Sequence, residues 1–323
     1  MTSVDYSYWI QHIKSFKEHF GEKLEINDCD LQIDECSSSN IPGIMFGSII
    51  MPPQYLNLLN LNCNLILCNR NLFQNFGDYN NECLDKENYE IPDYTLSAHD
   101  FNTKYLSEIH NRDRVPHDER RRKVAALLSD MIIYFALYHE LGHARQVAYA
   151  PLQESSVMDI HSDKWSNQAI EVDADIFAIN WLWRTVLLNY HNFNPNEAVN
   201  NRNELVELAL YSTFLLYVLS NNNSPLLKPY DKYPHPIVRF EITTIFLKDI
   251  LLSNIFTNEE FEKVIKKVIP ELDKTLAFHF GIVNRREYYN KFKSQELNKM
   301  KLIIQEHLEK NPALNRNRPY YIE

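Results

Sequence analysis

The sequence predicts a predominantly helical α+β fold, with a small N-terminal β-sheet followed by a core of long helices. Beyond residue 115, apolar side chains recur at helical spacing over most of the chain. Short alternating or continuous apolar runs, bounded by Gly and Pro, are confined to residues 23–76 and are typical of strands. Only 6 glycines occur among 323 residues, which suits helices joined by few tight turns.

Composition favours a globular protein of the cytoplasm. Hydrophobic residues make up 45% of the chain and charged residues 24%. A formal charge of -10 argues against a nucleic-acid-binding surface. The five cysteines are odd in number and form no Cys-x-x-Cys pair, which indicates free thiols. Nothing in the sequence points to a particular oligomeric state.

Neither a secretory signal nor a membrane span is expected. Residues 1–10 lack the apolar stretch of a signal sequence. The most membrane-like stretch, 205–220, contains Glu207 and is short against the roughly 20 apolar residues of a span. A buried core helix is the expected structure for it.

The chain is divided into an N-terminal region 1–115, a helical core 116–255 and a C-terminal helical extension 256–323, expected to pack as one compact unit. The first region begins with a helix over 5–20 that Gly21 ends. Six stretches are predicted as strands of the sheet: 24–26, 31–34, 44–46, 48–50, 64–68 and 72–76. Residues 77–98 are polar and predict a surface loop, and a short helix follows within 99–115.

Helices are predicted throughout the remaining two regions. Pro116 and Asp118 open a long helix that runs to about residue 147. Further helices are expected from Asp163, over 204–220 and from about residue 235. Two amphipathic helices are expected between 258 and 311.

The strongest chemical signal is His139-Glu140-Leu141-Gly142-His143, which ends the apolar run 131–138. On a helix, residues four apart lie on one face, so His139 and His143 can offer two imidazole nitrogens to one zinc ion. Glu140 is placed to act on the water at that metal. A catalytic zinc takes three protein ligands and keeps a fourth position open.

The third ligand is sought on the next apolar helix, 170–183, which carries three carboxylates in five residues. Burying carboxylates costs several kcal/mol unless they are paired or bound to a metal. Glu171 and Asp175 share a face, so Glu171 is assigned as the third zinc ligand. Asp175 is expected to accept the free N–H of a liganding histidine, and Asp173 to face solvent.

His161, in the preceding connection, is the alternative third ligand. Later in the chain, His235 and Arg239 are predicted to assist catalysis, because a donor beside the open metal position can stabilise an oxyanion. The structural alternatives are a helix cap for His235 and a salt bridge for Arg239.

These elements together resemble a known family. The five-residue motif followed by Glu171-Val172-Asp173-Ala174-Asp175 resembles the Glu-x-x-Ala-Asp element of the HtpX and CAAX-prenyl-protease group of gluzincins. His235-Pro236 and Arg239 resemble the His-Pro and Arg element of the same group. The resemblance covers about residues 137–240 and implies a zincin-type, gluzincin-like core in which the first Glu binds zinc and the Asp supports it.

In its size, in its His-Glu-x-x-His motif and in having no expected membrane span, the chain also resembles soluble phage-exclusion peptidases of the Lit type. That resemblance implies a cytoplasmic endopeptidase that takes part in bacterial defence against phage and cleaves a protein, in that family a translation factor.

The function expected from the sequence is therefore zinc-dependent hydrolysis of peptide bonds in a protein or peptide substrate. One Zn²⁺ per chain activates a water, and Glu140 takes its proton and later delivers it to the leaving amine. The alternative is a non-proteolytic regulatory or binding protein whose zinc site is structural or vestigial.

Overall fold

A computed structural model describes residues 7–24, 30–33, 43–45, 48–82, 115–149, 164–188, 198–219, 236–254 and 256–280, together with 302, 303 and 306. The described residues are mostly helical, as the sequence predicts. The helices are α1 (Ser7–Leu24), α2 (Pro53–Cys68), α3 (Glu119–Tyr149), α4 (Lys164–Leu188), α5 (Arg202–Leu219), α6 (Pro236–Asn254) and α7 (Asn258–Phe280). The strands are β1 (Leu31–Ile33), β2 (Gly43–Met45) and β3 (Ser48–Met51).

The predicted sheet is present, with three strands in the order β1-β3-β2. The middle strand β3 pairs in parallel with β1 and antiparallel with β2, so that Ile49 lies opposite Leu31 on one side and Ile44 on the other. Ile49 and Met51 are buried on alternate positions of β3. Because β2 and β3 both contact α3, the sheet supports the helix that carries the histidine motif.

Two of the predicted strands are wrong. Residues 64–68 form the end of α2 and not a strand. Pro53 stands at the first position of that helix, where its fixed φ suits a helix start, and residues 65–68 at its end are all buried. An apolar run buried all round has no period that separates helix from strand. Residues 72–76 form turns after α2, with Phe73 at φ 53°.

The first helix differs from its prediction only in its end. It continues through Gly21 to Leu24, so residue 24 is helical and not in a strand. The remaining part of the 24–26 prediction lies outside the described residues. So do the predicted helix within 99–114, the loop beyond residue 82 and most of the second C-terminal helix.

The long helix α3 lies at the centre of the molecule and contacts α2, α4 and α5. It begins where the sequence predicts, and the side chain of Asp118 accepts a hydrogen bond from the backbone N–H of Arg121 at 2.9 Å. Every residue from Met131 to Tyr138 is buried. In turn, α6 packs against α4 and α5, and α7 packs against α5.

All three predicted regions contribute to one hydrophobic core. Ile13 and Leu59 come from the first region, Leu128 and Leu215 from the second, and Leu272 from the third, and they belong to the same buried cluster. Two of the cysteines, Cys63 and Cys68, are buried free thiols in α2.

Among the described helices, the stretch Glu119–Gln146 is long and apolar enough to cross a membrane by length and composition alone. Most of it is buried inside the protein, and the central helix of a globular core has the same length and composition.

Arg121 fixes the segment that leads from α2 to the turn at Tyr79–Asn81. Its side chain is fully buried and lies 3.6 Å from the carboxylate of Glu82. The guanidinium donates to five backbone carbonyl oxygens of this segment, those of Leu67, Asn69, Leu72, Phe73 and Phe76. An arginine with its five N–H groups can satisfy so many buried acceptors at once.

We therefore predict that Arg121→Met destabilises the protein by about 3–5 kcal/mol, because it leaves buried carbonyls and the Glu82 carboxylate without their cation. Urea unfolding measures the loss. Arg122→Met is the matched control, since Arg122 is exposed on the same helix, and it should change the free energy of unfolding by no more than about 0.5 kcal/mol. Equal unfolding midpoints for the two variants would contradict this role.

Candidate metal centre

The candidate site forms beside a close approach of α3 and α4. A Cβ atom added to Gly142 would lie 3.0 Å from the Cα of Ala174 and 3.2 Å from its Cβ. Glycine, a poor helix former, is therefore favoured here, because a side chain at this position would require Ala174 to shift. This contact brings the side chains on either side of Gly142 to those around Ala174.

His139, His143 and Glu171 converge beside this contact. The two Nε2 atoms lie 3.1 Å apart. Oε2 of Glu171 lies 3.3 Å from Nε2 of His139 and 3.5 Å from Nε2 of His143. Glu171 is buried, and one donor atom from each of the three residues lies within 4.8 Å of the others.

The spacing of these three atoms fits a zinc ion. In a tetrahedral site with metal–nitrogen distances of 2.0–2.1 Å, neighbouring ligand atoms are about 3.3 Å apart. The observed separations of 3.1, 3.3 and 3.5 Å bracket that value. Two imidazoles and a carboxylate are also a donor set that zinc accepts, with one tetrahedral position left for solvent or substrate.

Asp175 lies against His139 and is itself paired with Arg239. Nδ1 of His139 lies 2.9 Å from Oδ1 of Asp175. The guanidinium of Arg239 donates to both oxygens of Asp175, at 2.7 and 2.6 Å, and lies over the ring of Tyr217 at 4.3 Å. Because a carboxylate only accepts, the closeness of Asp175 favours the hydrogen on Nδ1 and leaves Nε2 of the neutral ring for a metal.

The charges around the histidines favour a cation between them. Burial alone would lower the pKa of His139, but hydrogen bonds to Asp175 and Glu171 and the charge of Glu140 raise it to about 10. Burial also opposes the charge of His143, and Glu171 outweighs it and raises that pKa. Without a metal, the neighbouring carboxylates therefore favour the protonated form of both imidazoles. A divalent ion would displace those imidazole protons, so zinc affinity should fall as the pH is lowered.

The two carboxylates that face the histidines are ionised. Burial raises the pKa of Asp175, but Arg239 and His139 outweigh burial and lower it overall. Burial likewise opposes ionisation of Glu171, and the two histidines bring its pKa well below the usual value. With the histidines neutral, the carboxylates of Glu171 and Asp175 outnumber the cation paired with them, Arg239, so the site favours a further positive charge.

The structure places the other predicted site residues as follows. Glu140 is half-buried, one position round the helix from His139. Arg239 donates to Asp175 instead of lying free as an oxyanion donor, which is the salt bridge that the sequence also allowed. His235 and the alternative ligand His161 lie outside the described residues.

The prediction for Asp173 is wrong. This residue was expected to face solvent, but it is buried and accepts a hydrogen bond from the side chain of Gln146 at 2.9 Å. The reason is that α4 is enclosed on every side: residues 171–183 are all buried, so the helix has no solvent face there.

Two residues at the site carry no assignment from the sequence. Gln146 follows His143 by three positions, so helical spacing could have placed the two side chains together. Tyr217 lies in the apolar second half of helix α5, and no pattern in the sequence distinguishes it from the packing residues around it.

Comparison of the chain with protein-family models, with curated proteins and with solved structures finds no match.

If the contact at Gly142 positions the site, Gly142→Val should separate α3 from α4. We predict a loss of about 1–3 kcal/mol in stability from overpacking and a clear weakening of zinc binding. Helix propensity alone predicts the opposite, because valine is a better helix former than glycine. Thermal unfolding and zinc titration measure both effects.

Ala126→Val is the control for the β-branched side chain, since Ala126 is exposed on the same helix. It should leave zinc binding unchanged. A Gly142→Val variant that is more stable than the wild type and binds zinc equally well would show that the close contact is not needed.

Proposed function

We propose that this protein is a zinc-dependent hydrolase of peptide bonds. The observation that carries the proposal is the triangle of His139, His143 and Glu171, whose donor atoms are spaced as the ligands of one tetrahedral ion. Glu140 adjoins this triangle on the same helix turn. A site that only held the fold together would have no need of a carboxylate in that position.

His139, His143 and Glu171 would hold the ion, and Asp175 with Arg239 would keep His139 in its binding orientation. A zinc ion bound there supplies a Lewis acid and lowers the pKa of water to about 7. Glu140 is the general base: its carboxylate accepts a proton from the attacking water. The same carboxylate then carries that proton to the nitrogen of the leaving amine.

His235 is proposed as a donor to the oxyanion that develops on the substrate carbonyl. The support is its place in the sequence, directly before Pro236, the first residue of α6. The same helix carries Arg239, three residues after Pro236, and Arg239 is paired with Asp175 at the site. Arg239 itself is proposed to act through Asp175 and not on the substrate.

The proposed substrate is a protein or peptide in the cytoplasm. The resemblance to soluble phage-exclusion peptidases supports a role in defence against phage, with a translation factor as the target class to test first. The net charge of -10 is against a nucleic-acid substrate.

Glu140→Gln should keep zinc bound and abolish cleavage, because the amide cannot accept the proton of the water. The loss in rate should be at least about 100-fold. A bacterial cytosolic lysate is incubated with wild type and variant, and the cleaved proteins are identified by mass spectrometry of new N-termini. Zinc content is measured on the same samples.

Glu119→Gln is the control on the same helix. It lies about 30 Å from Glu140 along α3, is exposed, and pairs only with a neighbour on the helix surface, Lys123. It should cleave as the wild type does. A zinc-loaded Glu140→Gln variant with full activity would remove Glu140 from its role, and zinc binding with no cleavage by the wild type would favour a regulatory protein.

A further inference from the structure

His143 is held by a second arrangement that involves neither Asp175 nor Arg239. Its Nδ1 lies 2.8 Å from Oε1 of Gln146. The amide nitrogen of the same Gln146 donates to Oδ2 of Asp173 at 2.9 Å and to the carbonyl oxygen of Ile170 at 3.0 Å. Gln146 therefore bridges α3 to α4 close to the three candidate ligands.

The chemistry of these partners fixes which way the Gln146 amide points. The backbone carbonyl oxygen of Ile170 only accepts hydrogen bonds, so the NH₂ group must face it and the neighbouring Oδ2 of Asp173. Oε1 is then the atom that faces His143, and it can only accept. Nδ1 of His143 must therefore carry the hydrogen of the neutral ring.

This assignment leaves Nε2 of His143 as the bare nitrogen, and Nε2 is the atom that faces His139 and Glu171. Asp175 imposes the same tautomer on His139. In the neutral state that a metal requires, the two rings thus turn the lone pairs of Nε2 toward each other across 3.1 Å. Two lone pairs at that distance form no hydrogen bond with each other, so the arrangement suits a cation between them.

The contact with Gln146 explains why a carboxylate is buried at residue 173. Only 2% of the residue is exposed, and a buried carboxylate is expensive unless it is hydrogen-bonded. An apolar residue at this position would pack against the surrounding core without that cost. It would also leave the Gln146 amide without its charged acceptor.

We infer that Gln146 and Asp173 are a positioning pair for His143: Asp173 and the Ile170 carbonyl orient the amide, and the amide selects the metal-binding tautomer. The inference rests on the proposed zinc site and extends it. His139 is positioned by a carboxylate directly, whereas His143 is positioned by a carboxylate through an amide.

The first test is the zinc dissociation constant, measured by competition with a chromogenic chelator. Removal of a group that orients a metal-bound histidine typically weakens binding 10- to 100-fold, and Gln146→Leu should do so. Gln74→Leu, an exposed glutamine on the far segment after α2, should bind as the wild type does. The Co²⁺-loaded Gln146→Leu protein should also show an altered visible spectrum.

The second test exchanges the two groups, with Gln146→Glu and Asp173→Asn in one chain. The charge is unchanged, a carboxylate oxygen takes the place of the amide oxygen that faces Nδ1 of His143, and the new asparagine amide can donate to the other oxygen. The carbonyl oxygen of Ile170 loses its donor both here and in Gln146→Leu, so comparing the two variants isolates the acceptor at Nδ1. The zinc dissociation constant should return to within about fivefold of the wild type. A merely structural role for Gln146 predicts no such rescue, and the thermal midpoint of the metal-free proteins is followed to separate the two.

The outcomes are distinct. If the wild type binds no zinc, the proposed metal site is wrong and the inference falls with it. If the wild type binds zinc and Gln146→Leu binds it equally well, only the positioning role is wrong. If Gln146→Leu does not fold, the exchange variant provides the test. A zinc dissociation constant within about fivefold of the wild type supports the pair, and weaker zinc binding by the folded exchange variant overturns it.

Discussion

The close approach of α3 and α4 at Gly142 is the constraint on which the candidate site depends. One helix carries both histidines and the other carries Glu171, so the distance between the helix axes sets whether three donor atoms can meet. The backbone of Ala174 occupies the space that a side chain at residue 142 would need. The rest of the fold holds these two helices in place: α2, the sheet and α5 pack around α3, and α6 packs against α4.

The second constraint is electrostatic. Helix α4 brings three carboxylates into a region where every neighbouring residue is buried, and each is matched by a group of suitable chemistry. Asp175 is paired with Arg239, Asp173 accepts from Gln146, and Glu171 faces two imidazoles. Buried charges are tolerated only with such partners. The same pairs orient both imidazole rings, so the polar groups that the core must accommodate also prepare the site for a cation.

Much of this arrangement could be predicted from the sequence. The spacing of His139 and His143 on a helix places them on one face, and the cost of burying Glu171 and Asp175 on an apolar helix indicates that they meet a partner. The prediction for Asp173 was wrong because helical spacing tells which residues share a face but not whether the opposite face is exposed. The strand prediction at 64–68 was wrong because the short apolar run 65–68 by itself carries no period that separates a helix from a strand.

The tertiary contacts of buried polar groups could not be predicted from the sequence. That Arg121 would bind five carbonyl oxygens of a segment about fifty residues earlier follows from the packing of α2 against α3, which no local pattern encodes. The same holds for Tyr217 beneath Arg239. The path of the chain around residues 67–82 and the partner of Arg239 therefore emerge only from the assembled core.

The most direct measurement of the central claim is X-ray absorption at the zinc edge, together with zinc content, on protein purified without chelators. The proposed function predicts one zinc per chain, with two imidazole nitrogens and one carboxylate oxygen at about 2.0–2.1 Å and a further light ligand from solvent. Protein free of zinc, or zinc whose spectrum lacks imidazole scattering, would contradict the claim that His139, His143 and Glu171 form a metal site.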